Sequence, residues 1–260
     1  MSREKECKPP SMIIGLDGWG NAGEASTITV SYLIDKLKAR MVGEIESDEF
    51  YNYQISRPFV SIEGGLIKRY DKLRNVLYEW RGDRIVIILK GVEPHLNWSR
   101  YVDRVFEYCL KYRVKEIYTL GGYLVDPSYG KMSVISGLTN NPEKLKVLKE
   151  CGVEPASYEG ATSVYSEILW RSKKYDIDTV SLWVATSVYI DKRDPAAALR
   201  LLKTLTCLLS LKVDLSEMVH TVRRFKAELV KEAEEDPKLR ELTESLYPND
   251  ESWSMPPYTV

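Results

Sequence analysis

Gly18, Gly20 and Gly23 stand in the run G-W-G-N-A-G, between an apolar stretch and a helical pattern. This is the G-x-G-x-x-G spacing of dinucleotide-binding loops. There the glycines allow a tight turn, close approach of a pyrophosphate and close helix–strand packing. A carboxylate about 20 residues further on then takes the ribose hydroxyls. Glu44 and Glu46 stand near that distance. Two neighbours oppose the reading: Trp19 puts an indole in the path of the phosphates, and Asp17 puts a negative charge beside them. The competing reading gives Gly18, Gly20 and Gly23 a structural task, permitting positive φ and tight packing under Trp19.

A second constellation lies in K-G-V-E-P-H-L-N-W, directly after the apolar run 84–91. Open α/β sheets bind ligands at the carboxyl ends of their strands. A strand-end cleft would gather Asp17, Asn21, Glu93, His95 and Thr119, with His95 as a base. The plainer alternative makes Pro94 and Asn97 the start of a helix and leaves Glu93 and His95 as solvated turn residues. Gly130–Lys131 resembles the end of a phosphate loop, but Met132 replaces the required Ser or Thr. No G-x-S-x-G nucleophile turn is present, and the only other histidine is His220. Two histidines and four scattered cysteines do not compose a metal set. The expectation is no catalytic set, no metal and no cofactor.

The elements that must position these residues follow from periodicity. Short apolar runs at 11–16, 41–46, 84–91, 115–122, 131–138 and 179–190 read as strands. The segment 58–70 alternates and breaks at Gly64–Gly65, as a hairpin does. Helical patterns follow the glycine turn, begin again near Asn97, and recur at 141–152 and 161–177. Strand and helix alternate, which predicts an α/β fold with a mostly parallel sheet and helices on both faces. Beyond residue 194 the chain turns helical. Leu215, Met218, Val219, Val222, Phe225 and Leu229 form a stripe that packs inward, with Asp214 or Ser216 as the cap. The organisation expected is a flexible arm at 1–10, an α/β core at 11–194, a helical part at 195–247 and a mobile tail at 248–260.

Composition narrows the partners. The chain has 260 residues and a formal net charge of −1, which offers no electrostatic case for nucleic acid or an anionic membrane. Cys7, Cys109, Cys151 and Cys207 form no C-x-x-C pair and read as separate thiols of a reducing cytosol, not as a disulfide frame. The first ten residues lack an apolar signal segment, and no run is long enough to span a membrane, so a cytoplasmic location is expected. Many charges and a single glutamine, Gln54, lean toward a heat-adapted source.

The segments GWGNAGEAS, RPFVSIEGG, VIILKGVEPHLNWSRYVDRVFEY, IYTLGGY and SLWVATSVYIDKRDPAAALRLLKTLTCLLSLKVDLSEM occur in an order that resembles the proteasome assembly chaperone family, in its archaeal branch. The resemblance runs from about Met12 to the charged end of the last helix. It implies a three-layer α/β/α sandwich, phosphorylase-like, with a C-terminal helical extension. It also implies a homo-oligomer that acts on the proteasome core, as assembly factor or activator, without nucleotide hydrolysis. The family docks on α subunits through a C-terminal hydrophobic–Tyr–any tripeptide. This chain ends Pro257, Tyr258, Thr259, Val260, with the tyrosine third from the end and not second. The alternative from a different class is a small-molecule enzyme, or a nucleotide- or nucleoside-binding protein, using the strand-end cleft.

Overall fold

A computed structural model describes residues 8–46, 48–126, 134–190 and 193–232. The chain begins with β1 (Ser11–Asp17), a single 3₁₀ turn at Ala22–Glu24, and α1 (Ala25–Lys36). There follow β2 (Arg40–Ile45), β3 (Phe59–Glu63), β4 (Leu66–Asp71), β5 (Asn75–Arg81) and β6 (Ile85–Val92). Next come α2 (Trp98–Lys111), β7 (Glu116–Val125), β8 (Ile135–Thr139), α3 (Lys144–Glu150) and β9 (Val153–Pro155). The described part ends with α4 (Val164–Ser172), β10 (Asp178–Ser187), α5 (Pro195–Leu209) and α6 (Ser216–Glu232).

Eight strands form one sheet in the order β2-β5-β6-β1-β7-β10-β8-β9. Its centre, β6-β1-β7-β10, is parallel throughout, and antiparallel pairs occur only toward the two flanks. The central strands read as unbroken apolar runs because both faces are covered. On β1, Met12, Ile14 and Leu16 enter the layer containing α2 and α4, while Ile13 enters the layer containing α1, α5 and α6. The result is a mostly parallel three-layer α/β/α fold. Gly15 belongs to this packing, since a β-carbon there would stand 2.5 Å from Val30 on α1.

Helix α5 is buried along most of its length, from Ala196 to Leu209. Its alanines let it approach α1, where the Thr29 hydroxyl donates to the Ala198 carbonyl at 3.3 Å. Asp194 caps it by accepting from the amides of Ala196 and Ala197 at 2.9 and 3.0 Å, with Pro195 in the first turn. The predicted stripe on α6 is buried against the same layer. Asp214 accepts from the Ser216 amide at its start, at 2.9 Å. No helix among the described residues is long and apolar enough to cross a membrane.

Three expectations are corrected. Strand β5 was not legible as a separate element, although it inserts between β2 and β6. Consequently β2 is an edge strand, separated from β1 by both β5 and β6, and Glu44 and Glu46 lie far along the sheet from the glycine turn. A dinucleotide loop needs its acidic residue on the neighbouring strand, so that reading fails on topology. The cysteines are not all separate thiols either: Cys151 and Cys207 form a disulfide, while Cys109 is buried and free.

Candidate functional site

The glycine turn is a self-satisfied hydrogen-bond unit built around Asn21. Its side-chain amide donates to Asp17 Oδ1 at 2.9 Å and to Thr27 Oγ1 at 3.0 Å. Its Oδ1 accepts from the amides of Ser26 and Thr27 at 3.1 and 3.3 Å, in the first turn of α1. Helix N-terminal amides that could hold an anion are thereby occupied. Gly18 and Gly23 sit at φ of 135° and 60°, which favours glycine at both positions. Gly20 is there for space: a β-carbon would meet the Trp183 indole at 3.1 Å. The Gly20 carbonyl accepts from the Gly122 amide at 2.7 Å, which ties the turn to β7.

Glu93 joins this unit. Its amide donates to the Asp17 carbonyl at 2.7 Å, and its Oε1 accepts from the Val164 amide at 2.8 Å. Burial raises the Glu93 carboxyl above its ordinary range, and the amides of Val164 and Trp19 partly oppose that rise. Asp17, Asn21 and Glu93 are therefore brought together, at the meeting of β1, β6 and α4.

His95 and Thr119 are placed elsewhere. His95 Nδ1 accepts from the Asn52 amide at 3.1 Å, and its ring meets Tyr51 edge-on at 5.5 Å. That fixes the imidazole in the 50–53 loop. Thr119 is fully buried in β7 and donates to Ser181 Oγ on β10 at 2.7 Å, so it lines no open cleft. Pro257, Tyr258, Thr259 and Val260 lie outside the described residues, as do Gly130 and Lys131. No group of three or more His, Cys, Asp or Glu among the described residues could hold a metal.

A cavity of about 540 Å³ opens beside this unit on the α4 face of β10 and β8. Trp183 and Ser181 of β10 form its floor with their antiparallel partners Ser136 and Leu138 of β8. Tyr165, Ser166 and Leu169 of α4 form one wall, and the 155–162 segment forms another. Trp19 closes the near rim from the glycine turn. Sequence reasoning placed Trp19 in a phosphate path; its ring instead lines this cavity. The remaining lining was not foreseen, because it is assembled from an antiparallel pair and a loop without a motif. A smaller charged cleft of about 400 Å³ lies at the far edge, lined by Glu44, Glu46, Asp48, Asp71, Lys72 and Arg74 among others.

One surface stands apart from the sheet. Strands β3 and β4 form a separate two-stranded hairpin. Val60 pairs with Tyr70 and Ile62 with Ile67, so these four side chains share one face, and all four are exposed. A register shift beyond Ser61 accommodates the extra residue that keeps Ile67 and Tyr70 on that face.

Comparisons with known proteins give the fold a family. A PAC2 family protein from Streptomyces avermitilis superposes with a TM-score of 0.78 at 23% identity, covering 92% of this chain and 100% of that one. A Mycobacterium tuberculosis proteasome-assembly chaperone homologue gives 0.79 at 23% identity, over 89% and 98% of the two chains. PbaB of Pyrococcus furiosus, an archaeal proteasome activator, gives 0.69 at 21% identity, over 88% and 95%. No curated protein matches the sequence at a significant level. The profile of the PAC2 family matches residues 15–233, most of the chain, and this protein belongs to the PAC2 family.

Proposed function

We propose that this chain is a non-enzymatic, homo-oligomeric proteasome factor, an assembly chaperone or activator that engages the α subunits of the proteasome core in the cytoplasm. Family membership and the likeness to an archaeal activator and a bacterial assembly-chaperone homologue support the choice of partner. The observation in this chain that carries a protein-binding role is the β3–β4 hairpin. A two-stranded hairpin is marginal in water on its own, yet this one holds Val60, Ile62, Ile67 and Tyr70 exposed on one face. Its occupant in this reading is a second copy of the chain. The hairpin carries two acidic residues, Glu63 and Asp71, and two basic ones, Lys68 and Arg69. Such a balanced rim complements itself across a two-fold axis, whereas a strongly charged partner would require one sign to dominate.

Self-association would let several weak C-terminal segments bind one ring together, so that avidity replaces single-site affinity. Tyr258 is the group for that capture, within the segment Pro257 to Val260. Pull-down with proteasome α subunits tests the reading. The full chain is expected to be retained, and a chain lacking Pro257 to Val260 to be lost. Equal retention of both overturns the tail as the docking device. Retention of neither overturns the proteasome as the partner.

A further inference from the structure

We infer that the cavity between β10, β8 and α4 is a binding site for an uncharged, flat heteroaromatic small molecule that carries a hydrogen-bond acceptor. Its volume, about 540 Å³, lies within the range of small-molecule sites. The lining combines two indoles, Trp19 and Trp183, with the phenol rings of Tyr123, Tyr158 and Tyr165. Five Ser and Thr hydroxyls are interspersed, and among the described residues no Asp, Glu, Lys, Arg or His lines the cavity. A phosphate or carboxylate entering it would lose water without gaining a counter-ion. An uncharged ring keeps the stacking energy of the aromatic faces and meets the hydroxyls at its edges.

The floor is built to hold an indole at this surface. A β-carbon on Gly121 would stand 2.4 Å from the Trp183 ring, so glycine is what lets the indole lie flat on β7. Trp183 Nε1 donates to Ser181 Oγ at 2.9 Å, and Thr119 Oγ1 donates to the same oxygen at 2.7 Å. With its oxygen accepting twice, the Ser181 hydroxyl retains its proton for an acceptor in the cavity. Ser181 is itself 1% exposed, and it is among the lining residues. A buried donor in the floor of a cavity lined by two indoles selects a ring with an acceptor edge. The network explains Thr119, which the strand-end cleft does not use: it orients Ser181.

The test uses the full chain and a matched series of probes: indole, adenine, adenosine and adenosine 5′-monophosphate. Trp19 and Trp183 report directly through intrinsic fluorescence. The expected result is saturable quenching and a raised melting temperature with adenine or adenosine. Adding the phosphate should weaken binding about tenfold or more, since the charge gains no partner there. Indole, which has no acceptor nitrogen, should bind more weakly than adenine. Trp19→Ala, at an exposed position that should leave the melting temperature nearly unchanged, should weaken adenosine about fivefold or more. No saturable response to adenine and adenosine overturns the inference. Equal binding of adenosine and its monophosphate overturns the exclusion of charge. Unchanged affinity in both Trp19→Ala and Ser181→Ala overturns the location. Binding of a neutral disaccharide in place of the aromatic probes overturns the ligand class.

Discussion

Cys151, directly after α3, is bonded to Cys207 on α5 across a sequence separation of 56 residues. The bond fastens the α3 side of the sheet edge to the buried helix α5. Closing so long a loop removes entropy from the unfolded chain, worth about 2–4 kcal/mol. Cys207→Ser, or reduction of the native protein, should lower the unfolding free energy by about that amount. Denaturant midpoints in oxidised and reducing buffer provide the measurement, and identical midpoints would mean the folded protein does not hold the bond.

Asn21 satisfies four partners, and two substitutions separate its roles. Asn21→Ala should destabilise the fold by about 1–3 kcal/mol, because the amides of Ser26 and Thr27 lose their acceptor. Asn21→Asp keeps acceptors for those amides but brings a second carboxylate against Asp17, whose oxygen now lies 2.9 Å from the Asn21 amide. Its stability should therefore fall with rising pH relative to the alanine variant. Thermal unfolding of both variants at acidic and neutral pH checks the order.

Glu93 gives the wild-type chain a pH dependence whose sign follows from its burial. Burial holds its proton to higher pH in the folded state than in the unfolded chain. The folded state then binds more protons, so this group's contribution to stability falls as pH rises. The fall begins in the ordinary glutamate range and levels off above the raised folded value. Glu93→Gln retains a carbonyl for the Val164 amide and removes the titration. Wild type should lose stability against the glutamine variant across that window, and the gap should close at lower pH. A constant gap from acidic to neutral pH would contradict the assignment.

The hairpin prediction concerns association rather than folding. Ile62 and Ile67 face each other on the exposed side of β3–β4. Ile62→Asp with Ile67→Asp should raise the self-dissociation constant about tenfold or more, since two buried apolar side chains are lost per copy. The variant's secondary structure should be unchanged. Analytical ultracentrifugation across a concentration series reads the shift, and an unaltered association constant would remove the hairpin from the interface.

Periodicity carried most of the fold and little of the candidate site. The core strands were legible because parallel strands buried on both faces are written as apolar runs, as in Met12 to Leu16 and Ile85 to Leu89. The stripe on α6 and the hairpin around Gly64–Gly65 were legible for the same kind of reason. Strand β5 was missed because Asn75, Glu79 and Arg81 break its pattern at one sheet flank, where Asn75 turns inward to bond the Val92 carbonyl at 3.2 Å. Without β5, the spacing from the glycine turn gives Glu44 and Glu46 a role that the strand order denies. The disulfide was missed because spacing alone does not bring position 151 to position 207. The cavity was missed because Ser136, Ser181 and Trp183 meet only through antiparallel pairing of β8 with β10.

The most direct measurement of the central claim is binding of the full chain to purified proteasome core particles or α-subunit rings, followed by light scattering and peptidase activity. The account predicts a complex that contains several copies of this chain, with assembly or peptide hydrolysis altered by its addition. A chain that remains unbound at concentrations where it self-associates, and leaves both assembly and hydrolysis unchanged, would contradict it.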